Sequence, residues 1–165
     1  MKRILLLTLL GLFLSSCGSS RKTTDTDNIG NSKTSVSSGK ISKVVKYAKT
    51  FEGTRYKFGG TDKRGMDCSG LVYVSFKEEQ IGLPRISRDM ATKGVRIKLK
   101  ETEEGDLVFF RTNKNKNVIN HVGLVLENKK GVIKFIHSTT SKGVIISSME
   151  ERYWKNTFAQ VRRMI

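Results

Sequence analysis

The order of hydrophobic patterns along this 165-residue chain predicts an α+β fold, a small antiparallel sheet packed against helices gathered in the first half. Two observations carry that prediction. Between Ile41 and Gly82 the apolar residues recur at helical spacing, whereas from Gly105 to Ile165 they fall into five short runs rich in Val, Ile and Phe. Polar loops such as 113–117 and 128–131 separate those runs.

The chain opens with Lys2 and Arg3, an apolar segment from Ile4 to Leu14, and small Ser15 and Ser16 ahead of Cys17. This is the layout of a secretory leader, and the apolar part is short for a bilayer span. The ending "LSSC" resembles a lipobox, in which the leader is cut before the cysteine and the new N-terminal Cys17 receives acyl chains. An ordinary secretion signal with an incidental cysteine is the simpler alternative. Residues 18–40 hold Ile29 and Val36 as their only sizeable apolar side chains and read as a flexible tether, with a mean reach of about 25 Å. The expected division is a leader over 1–17, a tether over 18–40 and one folded domain over 41–165.

Ile41, Val44, Val45 and Ala48 predict an amphipathic helix with Lys43, Lys46 and Lys49 on its solvated face. The glycine-rich stretch from Gly53 to Gly70 reads as a loop that brings backbone close to something, and it lacks the ending of a phosphate loop. Leu71, Val72, Ser75 and Phe76 predict a second helix, ended by Gly82 and Pro84, with Cys68 in its first turn. Residues 87–94 suggest a further short helix capped by Ser87. The strands are expected over 105–112, 119–128, 131–140, 143–149 and 157–165.

Cys17 and Cys68 are the only cysteines. If Cys17 is acylated, Cys68 has no disulfide partner, and a lone thiol in an oxidising compartment asks for a chemical role. A helix start favours thiolate over thiol, while the adjacent Asp67 carboxylate opposes it. The two histidines, His121 and His137, lie 53 and 69 residues beyond Cys68, a possible nucleophile-then-base order. Zinc held by one thiolate and two imidazoles is the rival chemistry, but no tight C-x-x-C or H-x-x-x-H unit supports it.

Lys and Arg total 31 against 15 acids, a net charge of +16 at pH 7, and the leader removes two bases and no acid. Such a balance suits polyanions, including a carboxylate-rich wall, or reflects a lysine-rich surface and nothing more. Nucleic acid is not an expected partner, since export separates the two and no ladder of aromatic and basic residues is present.

The blocks "GTRYKFGG", "DCSGLV", "GDLVFF", "HVGLVL" and "FIHSTTSKGVIISSM", with "RR" near the end, occur in one order between Ile41 and Ile165. Together they resemble the NlpC/p-sixty family of cell-wall cysteine peptidases. The leader, the tether and "GVIISSMEERYW" are most similar to its Spr-like (MepS-like) murein endopeptidase lipoproteins. The resemblance implies a papain-like fold with Cys68 as nucleophile, His121 as general base and His137 as the residue that orients it. It further implies an oxyanion donor in the Cys68 N–H, a substrate-positioning role for Tyr56, and substrate contacts at Asp67 and Ser69. Asp67 then either caps the helix or reads a substrate amine.

The implied substrate is a peptidoglycan stem peptide, cut at the D-alanine to diaminopimelate cross-link or between D-glutamate and the diamino acid, with no metal or cofactor. A monomer is expected, anchored through Cys17 in a bacterial outer membrane and facing the periplasm, since Gly18 rather than aspartate follows the cysteine. A non-catalytic wall-binding lipoprotein and an acyl- or amide-transfer enzyme are the competing classes. Asp106 reads as a turn residue where a strand begins, Gly123 as a site of close packing opposite the nucleophile helix, and Arg85 and Arg88 as surface side chains, with a place on the cleft wall meeting peptide carboxylates as the alternative.

Overall fold

The computed structural model describes residues 28–113 and 117–165; the leader, Cys17 and residues 18–27 lie outside them. The described residues form α1 (Asn28–Lys49), a small hairpin of β1 (Thr61–Asp62) and β2 (Gly65–Met66), α2 (Cys68–Glu78) and α3 (Ser87–Met90). There follow β3 (Val95–Ile97), a 3-10 turn at Leu99–Glu101, β4 (Leu107–Phe110), β5 (His121–Lys129), β6 (Val132–Thr139), β7 (Gly143–Ser148), α4 (Arg152–Thr157) and β8 (Phe158–Arg163). No helix among the described residues is long and apolar enough to cross a membrane.

α1 buries Val44, Val45 and Ala48 and leaves Lys43, Lys46 and Lys49 exposed, as the spacing predicts. It begins at Asn28 rather than near Ile41, so part of the stretch expected to be tether is helical. Once the buried turns are formed, adding further turns costs little, and no proline interrupts residues 28–40. α2 stops at Glu78, before Gly82: Gln80 takes φ 60° and the Ile81 N–H closes back on the Phe76 carbonyl at 3.0 Å. Ser87 is the first residue of α3 and not its cap; Ile86 holds the cap position and makes no side-chain bond there.

All five strands expected in the second half are present, joined in a six-stranded sheet of order β3-β8-β4-β5-β6-β7 with every neighbour antiparallel. The C-terminal β8 is threaded between β3 and β4, with Val161 opposite Ile97 on one side and Val108 on the other. Both faces of the sheet are covered, which is why all four residues of β4 are buried. Leu107 and Phe109 join the core shared with Val44, Leu71 and Phe76 of the long helices. Val108 and Phe110 join a second core with Phe135, Val161 and Trp154 of α4.

Gly123 is tight, but its neighbour is not the nucleophile helix: a Cβ there would run into the Phe135 ring on β6. Asp106 does serve the turn into β4, accepting the Glu103 N–H at 2.7 Å. It is also 2 % exposed and paired through both oxygens to Arg163 at 2.9 Å, which fastens β8 to that turn.

Candidate active site

Cys68 is the first residue of α2, and the chain reaches it through Asp67 in extended conformation. The Asp67 side chain accepts the Gly70 N–H at 2.6 Å, which caps the helix and leaves the Cys68 N–H uncommitted to that cap. The segment before Cys68 is tied to the sheet by Ser138 of β6, whose hydroxyl donates to the Met66 carbonyl at 2.7 Å. Met66 in turn bridges to Tyr56 and holds that tyrosine beside the helix start. The nucleophile's position is thus set from the strand that carries His137.

His121 opens β5 and His137 lies near the end of β6, in strands paired at Leu124↔Ile136. His121 Nε2 is 2.8 Å from His137 Nδ1, with the two rings almost perpendicular. With Nε2 engaged, Nδ1 is the His121 nitrogen available to a thiol. Cys68, His121 and Tyr56 line one cleft of ≈ 500 Å³, with Thr139, Lys142 and Trp154 on its walls. The backbone of Val122, next to His121, approaches the Cys68 sulfur and favours its charged form.

Burial governs the protonation of this group. It pushes the half-buried Cys68 thiol up to about 11, against the pull of the Val122 amide and with a smaller upward push from Asp67. It pushes His121 down to about 4, and lowers His137 as well, helped there by the neighbouring His121. Both shifts favour the uncharged forms, thiol and neutral imidazole, whereas the helix start alone favours a thiolate. Tyr56 is raised, chiefly by burial and then by Cys68 and Asp67, so its hydroxyl keeps its proton.

Asp67 and Ser69, expected to contact substrate, are turned inward and do not line the cleft. Arg85 grips both Asp67 oxygens at 2.9 and 3.0 Å and donates to Ser69 Oγ at 3.0 Å. The Gly59 N–H supplies a further bond to Oδ2 at 2.8 Å. This arrangement makes Asp67 a helix cap and an ion-pair partner, and a substrate amine would have to displace Arg85. Arg85 itself is drawn into the framework rather than left on the surface. Sequence reasoning also missed Ser138 and Trp154, which touch the site through contacts between distant segments. Cys17 lies outside the described residues.

Chemically, a thiol and an imidazole on one cleft, the imidazole oriented by a second, suit attack on a carbonyl carbon with proton transfer to His121. No cluster of three or more His, Cys, Asp or Glu able to hold a metal occurs among the described residues.

A profile of the NlpC/P60 family matches residues 53–163. A "Probable endopeptidase NlpC homolog" of Haemophilus influenzae is 44% identical over 114 residues, covering 68% of this chain and 57% of that protein. The "Murein DD-endopeptidase MepS/Murein LD-carboxypeptidase" of Escherichia coli is 37% identical over 125 residues, covering 75% of this chain and 63% of that protein. The chain thus spans little more than half the length of these two curated relatives. Among solved structures, an NLP/P60-family protein of Staphylococcus aureus described as similar to lipoprotein superposes with a TM-score of 0.66 at 30% identity, over 77% of this chain and 42% of that one.

Proposed function

We propose that this chain, which belongs to the NlpC/P60 family, is a cysteine peptidase that hydrolyses peptide bonds of peptidoglycan. The observation that carries this reading is the shared cleft of Cys68 and His121 with the 2.8 Å His121–His137 bond behind it. The name of the Escherichia coli relative, a murein endopeptidase, supplies the substrate class.

In this reading His121 Nδ1 takes the Cys68 proton as Sγ attacks the carbonyl carbon, so that charge develops only in the transition state. The N–H of Cys68 at the start of α2, which the Asp67 cap does not use, is the oxyanion donor in this reading, and the protonated Tyr56 hydroxyl stands on the same cleft. His121 then returns the proton to the leaving amine. Water, deprotonated by the same imidazole, releases the acyl group.

The favoured bond is the D-alanine to diaminopimelate cross-link, in keeping with the DD-endopeptidase named among the relatives. Purified protein incubated with purified wall is expected to consume cross-linked dimers and release tetrapeptide monomers, with no release by Cys68→Ala. Accumulation of dipeptide with a shortened stem would instead assign the cut to the D-glutamate bond. Wall left intact by protein whose Cys68 is alkylatable would overturn the peptidase reading. Acylation of Cys17 and residence on the outer membrane belong to the same proposal, supported by the leader pattern. Labelled palmitate should enter the parent and not Cys17→Ala, and equal labelling of the two proteins, or none in the parent, would refute the anchor.

A further inference from the structure

Trp154 is the one tryptophan of the chain and is carried by the six-residue α4. Only 6 % exposed, it lies nearly parallel to the His121 imidazole, with ring centroids 5.3 Å apart and planes at 19°. It meets the His137 ring edge to face at 4.6 Å and 86°. Phe110 and Phe135 brace it from the core at 4.9 and 5.5 Å.

What this stacking can do follows from the charge that His121 must acquire. When the imidazole takes the Sγ proton it becomes a cation in an apolar setting. The group on its Nε2 is a second imidazole, whereas a carboxylate there would balance the charge. The matching negative charge passes from Sγ to the attacked group during the step, and a buried cation whose partner charge moves away is costly. An aromatic face within about 6 Å attracts a cation through its quadrupole, most strongly for indole and in a desolvated place. The His121–Trp154 stack lies inside that range.

We propose that Trp154 is a positioning residue of the Cys68–His121 pair: its indole face fixes the plane of the imidazole and stabilises the imidazolium formed during attack. The inference rests on the Cys68–His121 chemistry of the proposed function but not on its substrate. With iodoacetamide in place of a peptide, the proton passes from Sγ to His121 and then to solvent. The sulfur electron pair forms the S–C bond, the C–I bond breaks, and iodide leaves.

Because the tryptophan is unique, feeding monofluoro-, difluoro- and tetrafluorotryptophan during expression of the full chain weakens this one ring face with little change of shape. Alkylation of Cys68 by iodoacetamide at neutral pH, followed by peptide mass, is expected to slow stepwise, by about tenfold with the tetrafluoro ring. The melting temperature should hold, and alkylation of His121→Gln should be indifferent to fluorination. Trp154→Phe, with a weaker face, should fall between the parent and Trp154→Leu. A constant alkylation rate across the series overturns the proposal, as does an equal fall in His121→Gln, which would locate the effect outside the imidazole. If alkylation responds to fluorination while no variant, nor the parent, cuts wall, the substrate assignment fails and the role of Trp154 stands.

Discussion

Exchanging Asp67 and Arg85 singly and together separates a structural role for the acid beside the nucleophile from a substrate-binding one. Arg85 holds Asp67 by two bonds of 2.9 and 3.0 Å, with the two side chains 31 % and 11 % exposed. Stranding one partner of a fully buried pair costs about 3–5 kcal/mol; the partial exposure of Arg85 brings this to about 2. The cap bond from Gly70 adds about 1 kcal/mol, so Asp67→Ala is expected to cost about 3 kcal/mol and Arg85→Met about 2. The double variant should also cost about 3, because the second substitution removes a charge already stranded, leaving a coupling of about 2 kcal/mol. Urea unfolding of the four proteins measures all three values. Strict additivity would show that the pair is not energetically real. Asp67→Asn that unfolds like the parent yet loses wall cleavage would restore the amine-reading role and sink the argument from geometry.

Stability should fall on mild acidification through the buried imidazoles. The folded state keeps His121 neutral down to about 4, while the unfolded chain takes the proton near 6.5. The unfolded state therefore binds more protons between these values, and stability, full above about pH 7, is lost as pH falls. For His121 alone the loss between pH 7 and pH 5 is about 2 kcal/mol. His121→Gln should flatten that part of the profile in urea melts, and an identical slope in both proteins would refute the assignment. Ultraviolet difference spectra against Cys68→Ala should show no thiolate band at neutral pH and its growth only toward about 11; a neutral-pH thiolate band would contradict the neutral resting pair. Gly123→Ala forces a methyl into the Phe135 ring, itself 4.8 Å from His137. It should cost about 1–3 kcal/mol by overpacking and lower wall cleavage by more than the unfolded fraction explains; parent-like melting and activity would show that the sheet relaxes freely.

Five of the six strands of the large sheet were legible because each announces itself locally, through β-branched and aromatic residues between polar loops, whereas β3, three residues long with two of them exposed, shows no such pattern. α4 did not, because "RYWKNT" is too short to show a period and Tyr and Trp favour strands. The hairpin of β1 and β2 is two residues a side, below any pattern. Gly123 was placed against the wrong neighbour although parity held the answer. Val122 and Leu124 face the helices, so the residue between them must face Phe135. Arg85 gave no signal, since its contact with Asp67 spans 18 residues of chain and depends on how α2 and the loop after it return.

The protonation of Cys68 shows most sharply what local reasoning leaves out. A helix start and an adjacent acid are visible in four letters of sequence, and they pull the thiol in opposite directions. The outcome is decided by neither, because burial under β5 is the largest influence and it favours the neutral thiol. Burial acts the same way on His121, and the residue that orients it is an uncharged imidazole. Both partners are thus held short of ionisation until a carbonyl arrives to accept the sulfur's electrons. A site built this way needs something that favours the imidazolium only as it forms. A polarisable aromatic face meets that need better than a carboxylate, which would charge the pair at rest.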